Sequence, residues 1–313
     1  MKSGEGQRAE MSGKEFAELF DVLSTWGRWG EGDERGTLHY ASEATVVAGA
    51  ALVRDGRTFG LGRPLDTRPS AHNPKPADHH MTMLADHGEG PLRFAMDYVG
   101  QDYHHPSHSH LDALCHVSYR GSLYNGFETA GTVTADGAAA LSVETLQEGL
   151  VGRGVLLDVP GIRDRSWLES GESVFRDDLE AAERAQGVTV GAGDILLVRT
   201  GYAQRLAELG DTDGNGSVAG LHPTAMTFVA DRRVAALGSD GNSDTAPSTT
   251  EGVAFPIHVL AINGMGVHLL DYLALEELRE ACASSERWDF QFVAAPLQIP
   301  GGTGSPVNPI AIL

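Results

Sequence analysis

Two short apolar runs, "RGVLLDV" (153–159) and "DILLVRT" (194–200), constrain this chain most. Their apolar residues are consecutive rather than alternate, as in a strand covered on both faces. Around them the periodicity is helical, and helices are predicted at 143–149, 174–186, 201–209 and 223–232. "RVAALGSD" (233–240) reads as a further strand, "ALEELREACA" (274–283) as a helix and "DFQFVAAPLQIP" (289–300) as strand-like. Strands that alternate with helices predict an α/β fold, here with a mixed sheet.

The N-terminal part reads as a helical extension. Residues 1–11 are expected to be disordered. Ser12 and Glu15 form an S-x-x-E capping box, and Phe16, Leu19, Phe20 and Leu23 follow as an apolar stripe. A second helix is predicted from Ser42 to Arg54, ahead of Gly56. A loop rich in Pro, His and Asp (64–92) precedes a strand near "RFAMDYV" (93–99). No tandem repeat and no linker divides the chain, so residues 12–313 are expected to form one domain.

Composition removes several functions. The formal net charge is −20, whereas binding to phosphates needs a basic face, so neither nucleic acid nor an anionic membrane is an expected partner. No apolar run reaches the roughly 18 residues of a membrane-spanning helix. The polar start "MKSGEGQRAEMSGKE" lacks a secretory core, and only Cys115 and Cys282 occur, which fits a reducing cytoplasm.

The chemistry concentrates at 104–116, "HHPSHSHLDALCH", which holds five of the thirteen histidines. His104, His108, His110, Asp112 and His116 all sit at even positions. In an extended segment, alternate residues face one side. "HSHLD" as a strand therefore aims His108, His110 and Asp112 at one point, with Leu111 and Ala113 toward the core. Imidazole with carboxylate is a ligand set for Zn²⁺, Mn²⁺ or Fe²⁺. Pro106 donates no backbone hydrogen bond, so this strand is expected at an edge or with a bulge. The other reading is a polar loop of unrelated histidines, which so dense a cluster disfavours.

"SHSHLDALCH" resembles the signature of the cyclase family of metal-dependent hydrolases, which includes bacterial kynurenine formamidase and isatin hydrolase. That pattern is H-x-G-T-H-x-D-x-P-x-H. "WGRWGEGDERGTLHY" (26–40), "GRGVLLDV" (152–159), "GDILLVRTG" (193–201), "LHPTAMTFVADRRVAALGSDGNSD" (221–244) and "PIHVLAINGMGVHLLDYLALEEL" (256–278) extend the resemblance over most of the chain. It implies a swivelling β/β/α domain, a homodimer or homotetramer, and one or two Mn²⁺ or Zn²⁺ ions. By the same resemblance His110 and Asp112 are metal ligands and His116 transfers protons. His258 matches a histidine that can hold a second metal, and Asp271 stands near a family glutamate of that role. The chain departs from the pattern where the first histidine falls on Pro106, at His108 and Ser109 for Gly and Thr, and at Leu114 for Pro. His108 and His104 are the two candidates for the missing ligand, and the strand parity favours His108.

Secondary candidates are His80 and Met81 in "DHHM" (78–81) and His104, as pocket residues beside Met83. Asp240, Asn242, Ser243 and Asp244 in a Gly-rich loop could supply pocket polarity. Trp26 and Trp29 fit packing of the N-terminal helix better than a pocket cap. "DTDGNGS" (211–217) begins like a calcium loop but has His222 where such a loop has Glu, so a turn is favoured. Cys115 has the opposite parity to His116 and reads as a structural thiol. No G-x-S-x-G elbow and no dinucleotide fingerprint occurs. The expected activity is hydrolysis of an amide, lactam or lactone in a small molecule. A non-hydrolytic cyclase, dehydratase or isomerase and a metal-free binding protein remain as alternatives.

Overall fold

The structure is a computed structural model and describes residues 10–70, 73–86, 91–210 and 216–313. Residues 1–9, which belong to the segment expected to be disordered, and 211–215 of the calcium-like stretch lie outside the described residues. Met11 is bridged to the chain: its N–H donates to the Thr249 carbonyl at 2.8 Å, and its own carbonyl accepts from Glu251 at 2.9 Å.

Nine strands form one mixed sheet: β1 (Thr58–Gly60), β2 (His110–Asp112), β3 (Leu150–Asp158), β4 (Ile195–Arg199), β5 (Ala236–Ser239), β6 (His268–Asp271), β7 (Asp289–Ala294), β8 (Gly304–Pro306) and β9 (Ile310–Ile312). Their spatial order is β1-β9-β7-β3-β4-β5-β6-β2-β8. The centre, β3-β4-β5-β6, is parallel. β3, β4 and β5 are strands expected from the sequence, whereas β6 falls where none was expected; Val155, Leu156, Leu157 and Ile195 through Val198 are fully buried. The helices include α1 (Gly13–Leu23), α2 (Glu43–Ala50), α3 (Arg176–Gln186), α4 (Tyr202–Leu209), α5 (Met226–Arg232) and α6 (Glu276–Ser285). This mixed α/β architecture is the fold expected. Among the described residues no helix is long and apolar enough to cross a membrane.

Local chemistry explains several boundaries. Ser12 Oγ accepts from the Glu15 N–H at 3.2 Å while Glu15 Oε2 accepts from the Ser12 N–H at 2.8 Å, so α1 starts on its capping box. Phe16, Phe20 and Leu23 are its buried stripe. The second helix ends at Ala50 rather than Arg54. It lies so close to the sheet that a Cβ on Gly49 would stand 2.6 Å from the Gly152 carbonyl carbon. The helix predicted at 143–149 is one 3-10 turn, Val143–Leu146, and the one at 223–232 opens with a 3-10 turn before α5.

Two strand expectations change. The segment 104–109 is not extended; only His110–Asp112 pair, and they sit inside the sheet between β6 and β8. Pro106 lies in the turn before them, so its missing N–H disturbs no ladder. The strand near 93–99 is Met96–Gly100, which pairs with Asp78–Met83 in a separate two-stranded ribbon.

The extension is pinned to the body through Asp33. Its carboxylate accepts from the backbone N–H groups of Arg35 (3.1 Å) and Gly36 (3.0 Å) and from the Tyr124 hydroxyl (2.9 Å), and it lies 2.7 Å from His39 Nε2. Burial acts to raise this carboxyl, but His39 and the other donors outweigh it and hold it below the usual value. Asp33→Ala leaves buried donors without an acceptor and should destabilise the chain by about 2–4 kcal/mol in urea unfolding at neutral pH. A carboxyl depressed in the folded state stabilises above its unfolded pKa, and that stability disappears as pH falls through the folded value. The gap between wild type and variant should therefore narrow toward strong acid.

Candidate metal centre

The register of β6 against β2 creates the site. Asp271 stands opposite His110, and Asp112 lies two residues along from His110 on the same face. All three are buried. His258 enters from Pro256–His258, the single turn leading into the π-helical segment Val259–Met265. His104 arrives by a reversal of the chain. His105 donates to the Tyr103 carbonyl (2.8 Å) and His108 to the His105 carbonyl (3.1 Å), which folds His104 back over β8. Gly304 leaves room for it, since a Cβ there would stand 2.9 Å from His104 Cε1.

Two donor groups share Asp112. His104, His110 and Asp112 form one, and Asp112, His258 and Asp271 the other, each with ligand atoms within 4.8 Å of one another. Asp112 Oδ1 lies 2.8 Å from His104 Nδ1 and 3.6 Å from His110 Nε2. Its Oδ2 lies 3.5 Å from His258 Nε2, which is 3.5 Å from Asp271 Oδ2. Both Asp112 oxygens, His104 Nδ1 and Asp271 Oδ2 are buried yet make no hydrogen bond. Even at 2.8 Å, His104 and Asp112 meet without hydrogen-bond geometry. Orphaned nitrogen and carboxylate atoms turned toward shared points suit a divalent cation better than a proton network. The residues therefore fit the metal that the sequence implied.

Outer contacts orient these ligands. His110 Nδ1 donates to the His108 carbonyl at 2.9 Å, which leaves Nε2 for a cation. His258 Nδ1 donates to Asp244 Oδ2 at 2.6 Å, a carboxylate–histidine pairing typical of metal ligands. Asp271 Oδ1 accepts from the Ser243 hydroxyl at 2.6 Å, and His104 Nε2 lies 3.0 Å from Thr303 Oγ1. Thr303 carried no signal in the sequence, and the 243–244 loop signalled polarity rather than a partner for particular ligands.

The electrostatics are those of a strongly anionic pocket. Burial acts to raise the Asp112 carboxyl, but His104, His110, His116 and His258 outweigh it and hold it far below the usual range. Burial works against charge on His258, yet Asp244, Asp271 and Asp112 raise it to about 10. A cation that takes this imidazole must displace a proton, so its affinity should fall with falling pH. His116 is pushed down to about 4, chiefly by burial, and stacks on His104 with ring centroids 3.8 Å apart.

A cavity of about 1020 Å³ covers the centre. His104, His110, His116, His258, Asp271 and Tyr272 line one side, and Leu168, Leu206, Val218, Val253 and Phe255 another. Several expected residues lie elsewhere. His108 is fully buried, but its ring joins neither donor group; the turn before β2 breaks the alternation that favoured it. His104 stands in its place. His80 and Met81 are exposed on the ribbon, away from the cavity lining. Asp240 accepts from Thr200 N–H and Oγ1, Gly201 N–H and Tyr202 N–H, which fastens the start of α4 rather than facing the cavity. Trp26 packs on Phe20 and donates to the Asn263 carbonyl at 2.7 Å. Cys115 is buried with its thiol pushed up to about 12, as an inert thiol should be.

The cyclase family model matches residues 59–244. A solved structure described as a novel cyclase is 32% identical, covering 94% of this chain and 99% of that one, with a TM-score of 0.86. Isatin hydrolase A from Ralstonia solanacearum is 24% identical over 86% of this chain and 95% of its own, with a TM-score of 0.60. A "predicted metal-dependent hydrolase" from Bacillus stearothermophilus is 17% identical over 82% and 98%, with a TM-score of 0.50. The last two likenesses are of fold. No curated protein matches the chain.

Asp244→Asn should keep the fold but release His258, lowering Mn²⁺ or Zn²⁺ affinity about 10–100-fold in a competition titration. Equal affinity in wild type and variant would remove Asp244 from the site.

Proposed function

The chain belongs to the cyclase family, and from that membership we propose that it is a metal-dependent hydrolase of an amide, lactam or lactone bond in a small cyclic or aromatic molecule. The observation that carries the proposal is Asp112, whose two unbonded oxygens each face a separate pair of donors beneath an open cavity. His104, His110 and Asp112 would hold one divalent cation, and Asp112, His258 and Asp271 a second. When bound, such a cation supplies Lewis acidity to a carbonyl and makes water a stronger acid at neutral pH.

The remaining work belongs to the protein's own side chains. His116 lines the cavity and stays neutral at pH 7, because burial holds its pKa near 4. A neutral imidazole there can take a proton from attacking water and return it to the leaving nitrogen or oxygen. Its stacking on His104 fixes the ring plane, so the proton travels a set direction. The apolar lining of Leu168, Val218, Val253 and Phe255 suits an aromatic or alicyclic body. Tyr272 and Asn242, also in the lining, can orient a polar substituent.

Hydrolysis of N-formylarylamines, isatin-type lactams and aromatic lactones is the direct assay. Chelation should abolish turnover of the substrate found, and Mn²⁺ or Zn²⁺ should restore it. His116→Ala should retain its metal and fold while kcat drops about 10²–10⁴-fold. Full activity in that variant would strike out the proton-transfer role. Product lacking ¹⁸O after turnover in labelled water would strike out hydrolysis.

A further inference from the structure

Among the described residues that line the cavity, Tyr272 is the one non-glycine residue with a positive φ. Its φ of +57° lies in the left-handed region, which a bulky side chain seldom adopts. Three contacts impose it. The Tyr272 N–H donates to the Gly241 carbonyl at 3.0 Å, and the Leu273 N–H donates to the Ser239 carbonyl at 3.0 Å. The Tyr272 carbonyl accepts from the Ser109 hydroxyl at 2.6 Å, and Ser109 Oγ is itself set by the Arg63 N–H at 2.8 Å. A strained residue so fully over-determined by its surroundings is the kind that collects at functional sites.

The left-handed turn decides where the side chain goes. Asp271 ends β6, and in a continued strand residue 272 would face the opposite side of the sheet. Instead Tyr272 returns to the side of Asp271, and both line the cavity. The Tyr272 ring stands 6.1 Å from the His110 ring and 5.8 Å from that of Tyr202. Its hydroxyl is oriented in turn by Asn242, whose side chain lies beside it. Asn242 Oδ1 accepts from the Asp244 N–H at 3.1 Å, so the amide NH2 is the end left to face the phenol oxygen. A donor facing that oxygen leaves the phenol's own proton to be donated elsewhere, and the cavity is the open side.

We propose that the Tyr272 hydroxyl is a catalytic hydrogen-bond donor aimed at the oxygen of the carbonyl that is hydrolysed, and that Asn242 is the residue that positions it. The inference rests on the hydrolase reading and sharpens it: the polar group that Tyr272 orients is the scissile carbonyl. Negative charge develops on that oxygen as water adds. A fixed donor favours the charged oxygen over the neutral carbonyl, and so accelerates the step rather than merely tightening binding. The phenol keeps its proton throughout. His116 remains the group that carries the proton from water to the leaving atom.

The test compares wild type with Tyr272→Phe, which keeps the ring and removes only the hydroxyl. With formanilide, isatin and dihydrocoumarin as probes and Mn²⁺ or Zn²⁺ present, kcat should fall about 10²-fold while KM stays within about threefold. Bound metal and melting temperature should not change, whereas a purely structural role would move one of them. Asn242→Asp, whose carboxylate takes the phenol proton, should lower kcat on its own and add little to Tyr272→Phe; it also covers the case in which Tyr272→Phe fails to fold. Phenylboronic acid, whose tetrahedral anion imitates the oxyanion, gives a reading independent of turnover. Calorimetry should show it bound about 10-fold more weakly by Tyr272→Phe. Unchanged kcat in that variant, a fall in kcat that follows lost metal, or equal phenylboronate affinity would each overturn the proposal. A wild type that hydrolyses none of the probes, yet loses phenylboronate affinity with the hydroxyl, would keep Tyr272 as an oxyanion donor and overturn the hydrolase reading alone.

Discussion

The Asp112 carboxylate is the interaction on which the rest of the centre depends. It is fully buried, and burial of an unpaired carboxylate is prohibitive. Four imidazoles surround it, yet neither oxygen makes a hydrogen bond. Positive charge beside it stabilises such a group, and the imidazole of His258, raised to about 10, supplies part of it. A divalent cation would supply the rest, and the donor set of two imidazoles and a carboxylate on one side, and one imidazole and two carboxylates on the other, suits one.

The sheet topology exists around this centre in a mechanical sense. β2 is inserted antiparallel between β6 and β8, so His110, Asp112 and Asp271 are fixed by ladder hydrogen bonds rather than by loops. The remaining candidate ligands are tied by contacts from distant segments: Asp244 to His258, Ser243 to Asp271, Thr303 beside His104. The loop after β5 thus reaches two of these side chains at once. Asp240, at the start of the same loop, binds the first turn of α4, which brings Tyr202 to the cavity. One loop thus supports both the candidate ligands and Tyr202, which packs on Tyr272 in the cavity lining.

Much of this was legible in the amino-acid sequence because it rests on period and composition. Short apolar runs mark three of the four parallel strands, with β6 the exception, and a four-residue capping pattern marks the start of α1. His110 and Asp112 follow from alternation within a real strand, and they do converge. The same rule failed for His108, because extended backbone ends at residue 110 and a turn at Pro106 carries His104 back instead. Turn geometry of that kind depends on room at Gly304, far away in sequence. His80 and Met81 shared the histidine-rich character of the site without its location; no local signal separates a pocket loop from a projecting ribbon. Asp240 was read as polar lining, but its carboxylate is consumed by backbone donors, which only three-dimensional contact reveals.

Anomalous diffraction from crystals grown with Mn²⁺ or Zn²⁺ tests the central claim most directly. The account predicts a peak about 2.0–2.3 Å from Asp112 Oδ1, shared with His104 and His110, or its counterpart at Oδ2 with His258 and Asp271. Anomalous density absent from both faces of Asp112 in metal-saturated crystals, or present only at surface carboxylates, would contradict it.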